Sequence, residues 1–160
     1  MDGGLSPAAP PVAVRPARPD DLAFVLGLAA RFAETRPAWR TEREVTEGTK
    51  AELRRAFEAP APGSAVFVAE DAAGAPLGFA YGVLHDDFFT GEAHGHVSEI
   101  AVARDGSGAA APLVAAVEAH FRGLGVRFTT LNVNLANERA RRLYERLGYG
   151  PQFTQFVKVL

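Results

Sequence analysis

The sequence contains no cysteine, one methionine and one tryptophan among its 160 residues. Without cysteine there is no disulfide bond, no thiolate metal site and no thiol nucleophile. No apolar stretch approaches the roughly 20 residues that a membrane-spanning helix needs. Residues 1–12 lack the basic start and the apolar block of a signal peptide. These absences favour a cytoplasmic protein that does not bind a membrane.

An excess of charge of one sign is also missing, because 17 basic and 19 acidic residues give a net charge of −2. No global positive field therefore attracts nucleic acid or an anionic membrane. Apolar content of 48% and charged content of 22% are ordinary for a soluble globular protein. We predict a flexible tail over residues 1–12, which are rich in glycine, proline and alanine, and one domain over residues 13–160.

Apolar periodicity and turn residues predict an alternating order of strands and helices. Asp20 is expected to cap the first helix, and Thr41 with Glu44 forms a possible capping box for the second. The predicted order is strand 13–16, helix 20–34, loop 36–40, helix 41–59, strand 65–70, strand 76–84, strand 94–102, helix 110–124, strand 127–133, helix 137–147 and strand 154–160.

This order predicts a mixed α/β (α+β) fold. The three central strands should pair antiparallel, whereas the strand–helix–strand unit over residues 94–133 requires a parallel pair. We therefore expect a mixed sheet that is covered by helices on both faces.

The last predicted helix has a clear start and a clear end. Asn137 can accept a hydrogen bond from the amides of the first turn, and Gly148 suits the left-handed position that ends a helix. An apolar stripe recurs at helical spacing between them, formed by Ala140, Leu143, Tyr144 and Leu147. Such a stripe is typical of core packing, but Tyr144 adds a polar hydroxyl to it.

A glycine turn separates the strand that ends at Val102 from the next helix. Gly106 and Gly108 let a ligand approach the backbone, and the amides of a helix start suit phosphate oxygens. An ordinary tight turn is one interpretation. A P-loop is excluded because Ala109 and Ala110 stand where lysine and serine or threonine are required. The dinucleotide fingerprint is weak, because the following strand ends without a carboxylate. A coenzyme A diphosphate turn is the third interpretation.

The spacing N-x-x-A-x-x-L-Y-x-x-L-G-[YF] over residues 137–149 resembles a motif of the GNAT-type N-acetyltransferase superfamily. Residues 96–124 and 131–149 resemble the two central motifs of that superfamily, and the order of elements agrees over nearly the whole chain. The resemblance implies a GNAT-like sheet with a splayed central strand pair. Its acyl-CoA loop, [QR]-x-x-G-x-[GA], aligns on Gly108, with Asp105 at the position of the glutamine or arginine. The loop from Val102 is about two residues shorter than in the superfamily.

The resemblance also implies acetyl-CoA as co-substrate, with no metal. In such enzymes one strand pairs with the pantetheine, a loop and helix start hold the diphosphate, a helix-start asparagine contacts the coenzyme, and a helical tyrosine lies near the thioester sulfur. Arg104 is expected to turn inward and offset the charge of Asp105. The implied coenzyme-binding residues are Ile100, Ala101, Val102, Arg104, Gly106, Ser107, Gly108, Ala109, Ala110, Asn137 and Tyr144.

Two residues are candidates for acid and base chemistry. Tyr144 is the expected acid, since a phenol is protonated at neutral pH and can give its proton to a leaving thiolate. Glu99 is the expected base, because it stands in a largely apolar strand where burial raises the pKa of a carboxyl. His94 and His96 alternate with Ser98, but two histidines without a third ligand are poor evidence for a metal. Either histidine remains an auxiliary base candidate.

We therefore predict an acetyl-CoA-dependent N-acetyltransferase that acetylates a small amine by direct attack in a ternary complex. Acceptor contacts are expected from residues 36–40 and 85–93. The predicted partners exclude nucleic acid and membranes and include, as an option, a second copy in a homodimer. Asp105 and the short loop support an alternative, a catalytically degenerate coenzyme A-binding regulatory module. A dimerisation scaffold without a coenzyme site is a third possibility.

Overall fold

A computed structural model describes residues 11–160, so the predicted tail lies almost wholly outside the described part. The described chain forms one five-stranded sheet in the order β1-β2-β3-β4-β5. The strands are β1 (Ala13–Pro16), β2 (Ala65–Glu70), β3 (Pro76–Asp86), β4 (Ala93–Val102) and β5 (Thr129–Leu131). The helices are α1 (Leu22–Gly27), α2 (Glu42–Glu58), α3 (Ala110–Gly123) and α4 (Glu138–Arg146).

The sheet is mixed, as predicted. Strands β1 to β4 pair antiparallel with their neighbours, and β5 pairs parallel to β4 through the crossover helix α3. Apolar side chains fill both faces. One core packs α1 and α2 against Val68 and Phe79, and the other packs α3 against Ala80 and Val97. The predicted fold class is confirmed.

The first predicted helix is broken into three pieces. A 3₁₀ turn over Pro19–Asp21 precedes α1, and a second 3₁₀ turn over Ala29–Ala33 follows it. The expected cap at Asp20 is wrong. Asp21 instead accepts a hydrogen bond from the Arg18 amide at 2.6 Å. Its pKa is lowered chiefly by the side-chain hydrogen bond from Arg15, at 2.7 Å. Gly27 at the end of α1 lowers the helical preference where the break occurs.

Two strand predictions are also corrected. β5 covers three residues instead of the seven predicted over 127–133, and residues 154–160 form no strand although they are described. The side chains of Phe153, Phe156 and Leu160 are almost fully exposed. A strand pattern is stabilised by a paired neighbour and a covered face, and this segment has neither within the described chain.

A β-bulge in β4 opens the sheet. In the register with β3, Tyr81 faces Glu99 and the next residue, Gly82, faces Val97, so Ser98 has no partner. A bulge bends and twists its strand. The parallel pairing of β4 with β5 stops at the same level, where Val97 faces Leu131. The two strands therefore splay beyond this point. No helix within residues 11–160 is long and apolar enough to cross a membrane.

Candidate active site

The splayed strands open onto a cleft of about 640 Å³. Its walls come from the second half of β4, the turn between β4 and α3, the start and inner face of α4, and the segment that follows α1. The lining includes Arg31, Phe32, Glu34, Thr35, Arg36, Pro37, Val45, Ser98, Ile100, Ala101, Val102, Asp105, Gly106, Ser107, Gly108, Ala110, Asn132, Asn134, Asn137, Arg139, Tyr144 and Arg146.

Most of the predicted coenzyme-binding residues lie on this cleft. Ile100, Ala101 and Val102 line it beyond the last β4–β5 pair, where the edge of β4 has no strand neighbour. Backbone groups on such an edge can pair with an extended ligand.

The glycine turn forms the end of the same wall. Gly106 and Gly108 adopt positive φ angles of 78° and 77°, a conformation that glycine adopts without strain. No side chain caps the start of α3 at Ala109, so amides of its first turn remain available to a phosphate. Ala109 itself is fully buried, whereas its neighbours Ser107 and Ala110 line the cleft.

Helix α4 forms the facing wall and begins as predicted. The Asn137 side chain accepts a hydrogen bond from the Ala140 amide at 3.1 Å, and the chain turns away at Gly148 with a φ of 92°. Tyr144 lines the cleft and is only 7% exposed. Burial raises its pKa to about 12, so the phenol is protonated at neutral pH.

Glu99 is partly buried and does not line the cleft. Its Oε2 atom is inaccessible and has no hydrogen-bond partner in the described part of the chain. Burial raises the pKa of this carboxyl to about 7, an effect partly offset by a hydrogen bond with Ser98. Ser98, the bulged residue, does line the cleft.

The positions of Arg104 and Asp105 differ from those expected. Arg104 is exposed and does not line the cleft, whereas Asp105 lines it. Arg31 Nη2 lies 2.7 Å from Asp105 Oδ1, and Arg139 Nη1 lies 2.6 Å from Asp105 Oδ2. Sequence reasoning missed both arginines, because Arg31 precedes Asp105 by 74 residues and nothing local relates them.

The two histidines of β4 lie away from the cleft, near the start of the strand. His96 is buried with Nδ1 2.8 Å from Thr130 Oγ1, and its ring stacks on His85 at 4.6 Å. Burial, with His85 and His94 adding smaller effects, lowers the pKa of His96 to about 4. Within residues 11–160 no three potential ligands are placed to hold a metal ion. Neither histidine lines the cleft.

Of the two segments expected to contact the acceptor, residues 36–40 reach the cleft and residues 85–93 do not. Arg36 and Pro37 line the cleft beside Phe32 and Thr35, but the Arg36 guanidinium is tied to the Ala33 carbonyl at 2.9 Å. The residues of the β3–β4 hairpin loop, including Asp86, Asp87, Phe88, Phe89 and Glu92, do not line it. Glu34, which the sequence analysis did not single out, is the carboxylate on this part of the wall.

A mixed sheet that splays beside an uncapped helix start, with a buried tyrosine on the facing wall, is the arrangement that the resemblance to GNAT-type N-acetyltransferases implied. The family model for the Acetyltransferase (GNAT) family matches residues 29–149. The chain belongs to this family.

Solved structures share the fold at low sequence identity. A putative acetyl transferase from Pyrococcus furiosus has a TM-score of 0.75 at 17% identity, over 94% of this chain and 100% of the other. The aminoglycoside N-acetyltransferase AAC(6′)-Iy in complex with CoA has a TM-score of 0.71 at 20% identity, over 97% and 99%. The ribosomal-protein-alanine N-acetyltransferase from Brucella melitensis biovar Abortus 2308 has a TM-score of 0.67 at 19% identity, over 94% and 100%. A comparison with curated proteins finds no match.

Proposed function

We propose that this protein transfers the acetyl group of acetyl-CoA to the amine of a small molecule, by direct attack within a ternary complex. The observation that carries the proposal is the opening between β4 and β5 beyond Val97, with Tyr144 on the facing wall. Two kinds of surface line this single cleft. One is an unpaired strand edge with a glycine turn, and the other is the side-chain wall around Phe32 and Glu34.

The coenzyme half of the cleft fits the co-substrate by its chemistry. The free edge of β4 at Ile100–Val102 offers backbone donors and acceptors to the amide groups of the pantetheine arm. The uncapped start of α3 and the turn at Gly106–Gly108 offer amides to the diphosphate. When bound, acetyl-CoA supplies the thioester carbon that the amine attacks.

Tyr144 and Glu99 supply the two proton transfers. The nitrogen–carbon bond forms as the carbon–sulfur bond breaks, and Tyr144 donates its phenolic proton to the departing thiolate. With a pKa of about 12, the phenol carries this proton at neutral pH. The amine proton passes to Glu99 through Ser98 or water, because Ser98 lines the cleft and Glu99 does not. A carboxyl with a pKa near 7 is a suitable base at neutral pH.

The acceptor half favours a cationic amine of modest size. Glu34 places a carboxylate on the wall, and Phe32, Pro37 and Val45 add apolar surface beside it. AAC(6′)-Iy, named above, is an aminoglycoside acetyltransferase with a similar fold, and polyamines and aminoglycosides are therefore included among the acceptors to be tested.

The rival proposal is a coenzyme A-binding regulatory module that has lost transfer. Its support is Asp105, whose charge opposes a diphosphate, together with the short loop after Val102. The pairing of Asp105 with Arg31 and Arg139 offsets that charge and weakens the rival. A cytoplasmic location and a homodimer stay predictions.

Release of free thiol from acetyl-CoA across an amine panel separates the two proposals. The panel contains aminoglycosides, polyamines, amino acid amides and a peptide with a free N-terminus. We expect amine-dependent thiol release above the hydrolytic background. Binding of acetyl-CoA in a calorimeter without release by any amine would favour the regulatory module, and no binding would contradict both.

A further inference from the structure

An ion bridge closes around Asp105 at the cleft. Its carboxylate is shared between two guanidinium groups, one on each oxygen, at 2.7 Å from Arg31 and 2.6 Å from Arg139. The three residues belong to three separate elements: the 3₁₀ turn after α1, the turn before α3 and the first turn of α4. All three line the cleft.

The bridge leaves most of each guanidinium free. A guanidinium has five N–H donors in a planar fork, and Asp105 contacts one terminal nitrogen of each. Glu34 Oε2 lies 3.7 Å from the same Arg31 nitrogen, which makes an ion pair but is beyond hydrogen-bond distance, and 59% of the Glu34 side chain stays exposed. Arg139 keeps 60% of its side chain exposed. Both cations can therefore hold Asp105 and bind a second anion at the same time.

The position of the ion bridge indicates that the second anion is a phosphate group. Asp105 directly precedes Gly106, so the two guanidiniums are gathered beside the amides that the proposed function assigns to the diphosphate. Paired N–H donors of arginine match phosphate oxygens. A single carboxylate at this place would repel phosphate, but each oxygen of Asp105 is already occupied by a cation.

We infer that Arg31 and Arg139 bind phosphate groups of acetyl-CoA and that Asp105 is a positioning residue that holds them over the glycine turn. The inference rests on the proposed function. In this inference the positive charge that binds phosphate comes from the 3₁₀ turn after α1 and from α4, and not from the glycine turn itself. It also predicts that Asp105, although negatively charged, increases the affinity for an anionic ligand.

The sign of the Asp105 effect is the decisive measurement. Calorimetric titration of acetyl-CoA should show about a tenfold loss of affinity for Arg31→Ala and for Arg139→Ala. Asp105→Asn should weaken binding about threefold, because it loosens both guanidiniums. If Asp105 only repels phosphate, Asp105→Asn tightens binding, and the inference fails. In the Arg31→Ala/Arg139→Ala background the Asn substitution should no longer weaken binding.

Arg142→Ala is the matched control. Arg142 lies on α4, is 73% exposed, pairs with Glu138 at 3.5 Å and does not line the cleft. This variant removes the same charge from the same helix and should bind acetyl-CoA as the unmodified protein does. Equal losses for Arg142→Ala and Arg139→Ala would reduce the effect to net charge and overturn the inference.

Two further experiments identify the phosphate group that the arginines bind. They also distinguish failure of the proposed function from failure of this inference. Repeating the titrations with 3′-dephospho-CoA retains the arginine effects if the diphosphate is bound and removes them if the 3′-phosphate is bound. Raising the salt concentration should weaken binding less in the arginine variants. Failure of the unmodified protein to bind acetyl-CoA contradicts the proposed function. Normal binding by the unmodified protein and by both arginine variants contradicts only this inference.

Discussion

At the scale of the residue, the two candidate proton carriers owe their properties to burial. Tyr144 and Glu99 have raised pKa values, about 12 and about 7, and desolvation is the largest cause for each. The phenol is protonated at neutral pH, which an acid requires, and this would hold at its ordinary pKa of 10.0 as well. Burial matters more for the carboxyl, because it raises the pKa of Glu99 to about 7, where the group can accept a proton near neutral pH.

Replacing Tyr144 by phenylalanine should slow acetyl transfer at least about tenfold, because the thiolate loses its proton donor. The affinity for acetyl-CoA should change little, since the ring that lines the cleft is kept. Steady-state kinetics and calorimetry on the same preparation check both expectations. A Tyr144→Phe enzyme with full turnover would remove the tyrosine from the mechanism.

Replacing Glu99 by glutamine should alter the pH–rate profile. Glu99 accepts a proton only when ionised, so the rate of the unmodified enzyme should fall as pH drops below about 7. The variant should be slow, and this acid limb should be absent. An acid limb that persists unchanged in Glu99→Gln would assign the base elsewhere.

Glu99 also predicts a stability difference of defined sign. Its folded pKa of about 7 exceeds the ordinary value of 4.5, so the folded state holds more protons than the unfolded state between these values. Stability is therefore lost as pH rises through this window. Glu99→Gln should be more stable than the unmodified protein at pH 8 and similar to it at pH 4, as measured by urea unfolding.

At the scale of the element, α4 depends on its cap because its own apolar surface is small. Tyr144 is its one buried residue, while Asn137 both caps the helix and lines the cleft. Helix α2 has an independent capping box, in which Thr41 accepts from the Glu44 amide at 3.1 Å. The two caps are alike in chemistry, but only Asn137 is itself on the cleft.

Asn137→Ala should destabilise the protein by about 1 kcal/mol and weaken acetyl-CoA binding, whereas Asn137→Ser should keep the cap. Thr41→Ala is the matched control: it should cost a similar free energy of unfolding without the loss of affinity. Urea unfolding and calorimetry measure the two quantities. Equal affinity losses for Asn137→Ala and Thr41→Ala would mean that global stability, not the local site, controls binding.

At the scale of the whole molecule, the opening of the sheet depends on close packing at its closed end. A Cβ atom at Gly95 would overlap the Phe121 ring of α3 and lie 2.6 Å from Thr129 Cγ2 of β5. Gly95 also faces Thr129 in the parallel register. β4, the three-residue strand β5 and Phe121 of α3 are therefore closely packed around Gly95.

Gly95→Ala should destabilise the protein by about 1–3 kcal/mol, because Phe121 is buried and cannot move freely. Displacement of β5 should also reduce acetyl-CoA binding, since the cleft begins where the β4–β5 pairing ends. Gly123→Ala, where an added Cβ meets no atom within 4 Å, should leave both unchanged or slightly raise stability. Unfolding midpoints and titrations of both variants provide the check; an unaffected Gly95→Ala protein would contradict the packing argument.

Local signals in the sequence were sufficient for the elements whose stabilising contacts are local. The caps at Asn137 and Thr41 lie three residues from their partners. The turn predicted at Gly106 and Gly108 is present, and both glycines adopt positive φ angles there. The strand predicted over 154–160 is wrong, because the residue pattern indicates a preference for extended backbone but does not specify a neighbouring strand to pair with.

The sequence by itself determined the mixed fold, the capped helix α4 and the place of the glycine turn, because each follows from periodicity and from contacts within a few residues. The tertiary structure decided that Asp105 lies on the cleft between Arg31 and Arg139 and that Arg104 does not. It also decided that Ser98 lines the cleft and that Glu99 does not. These facts depend on which distant segments of the chain come into contact. No local sequence pattern indicates that two side chains 74 residues apart, such as Arg31 and Asp105, form an ion pair.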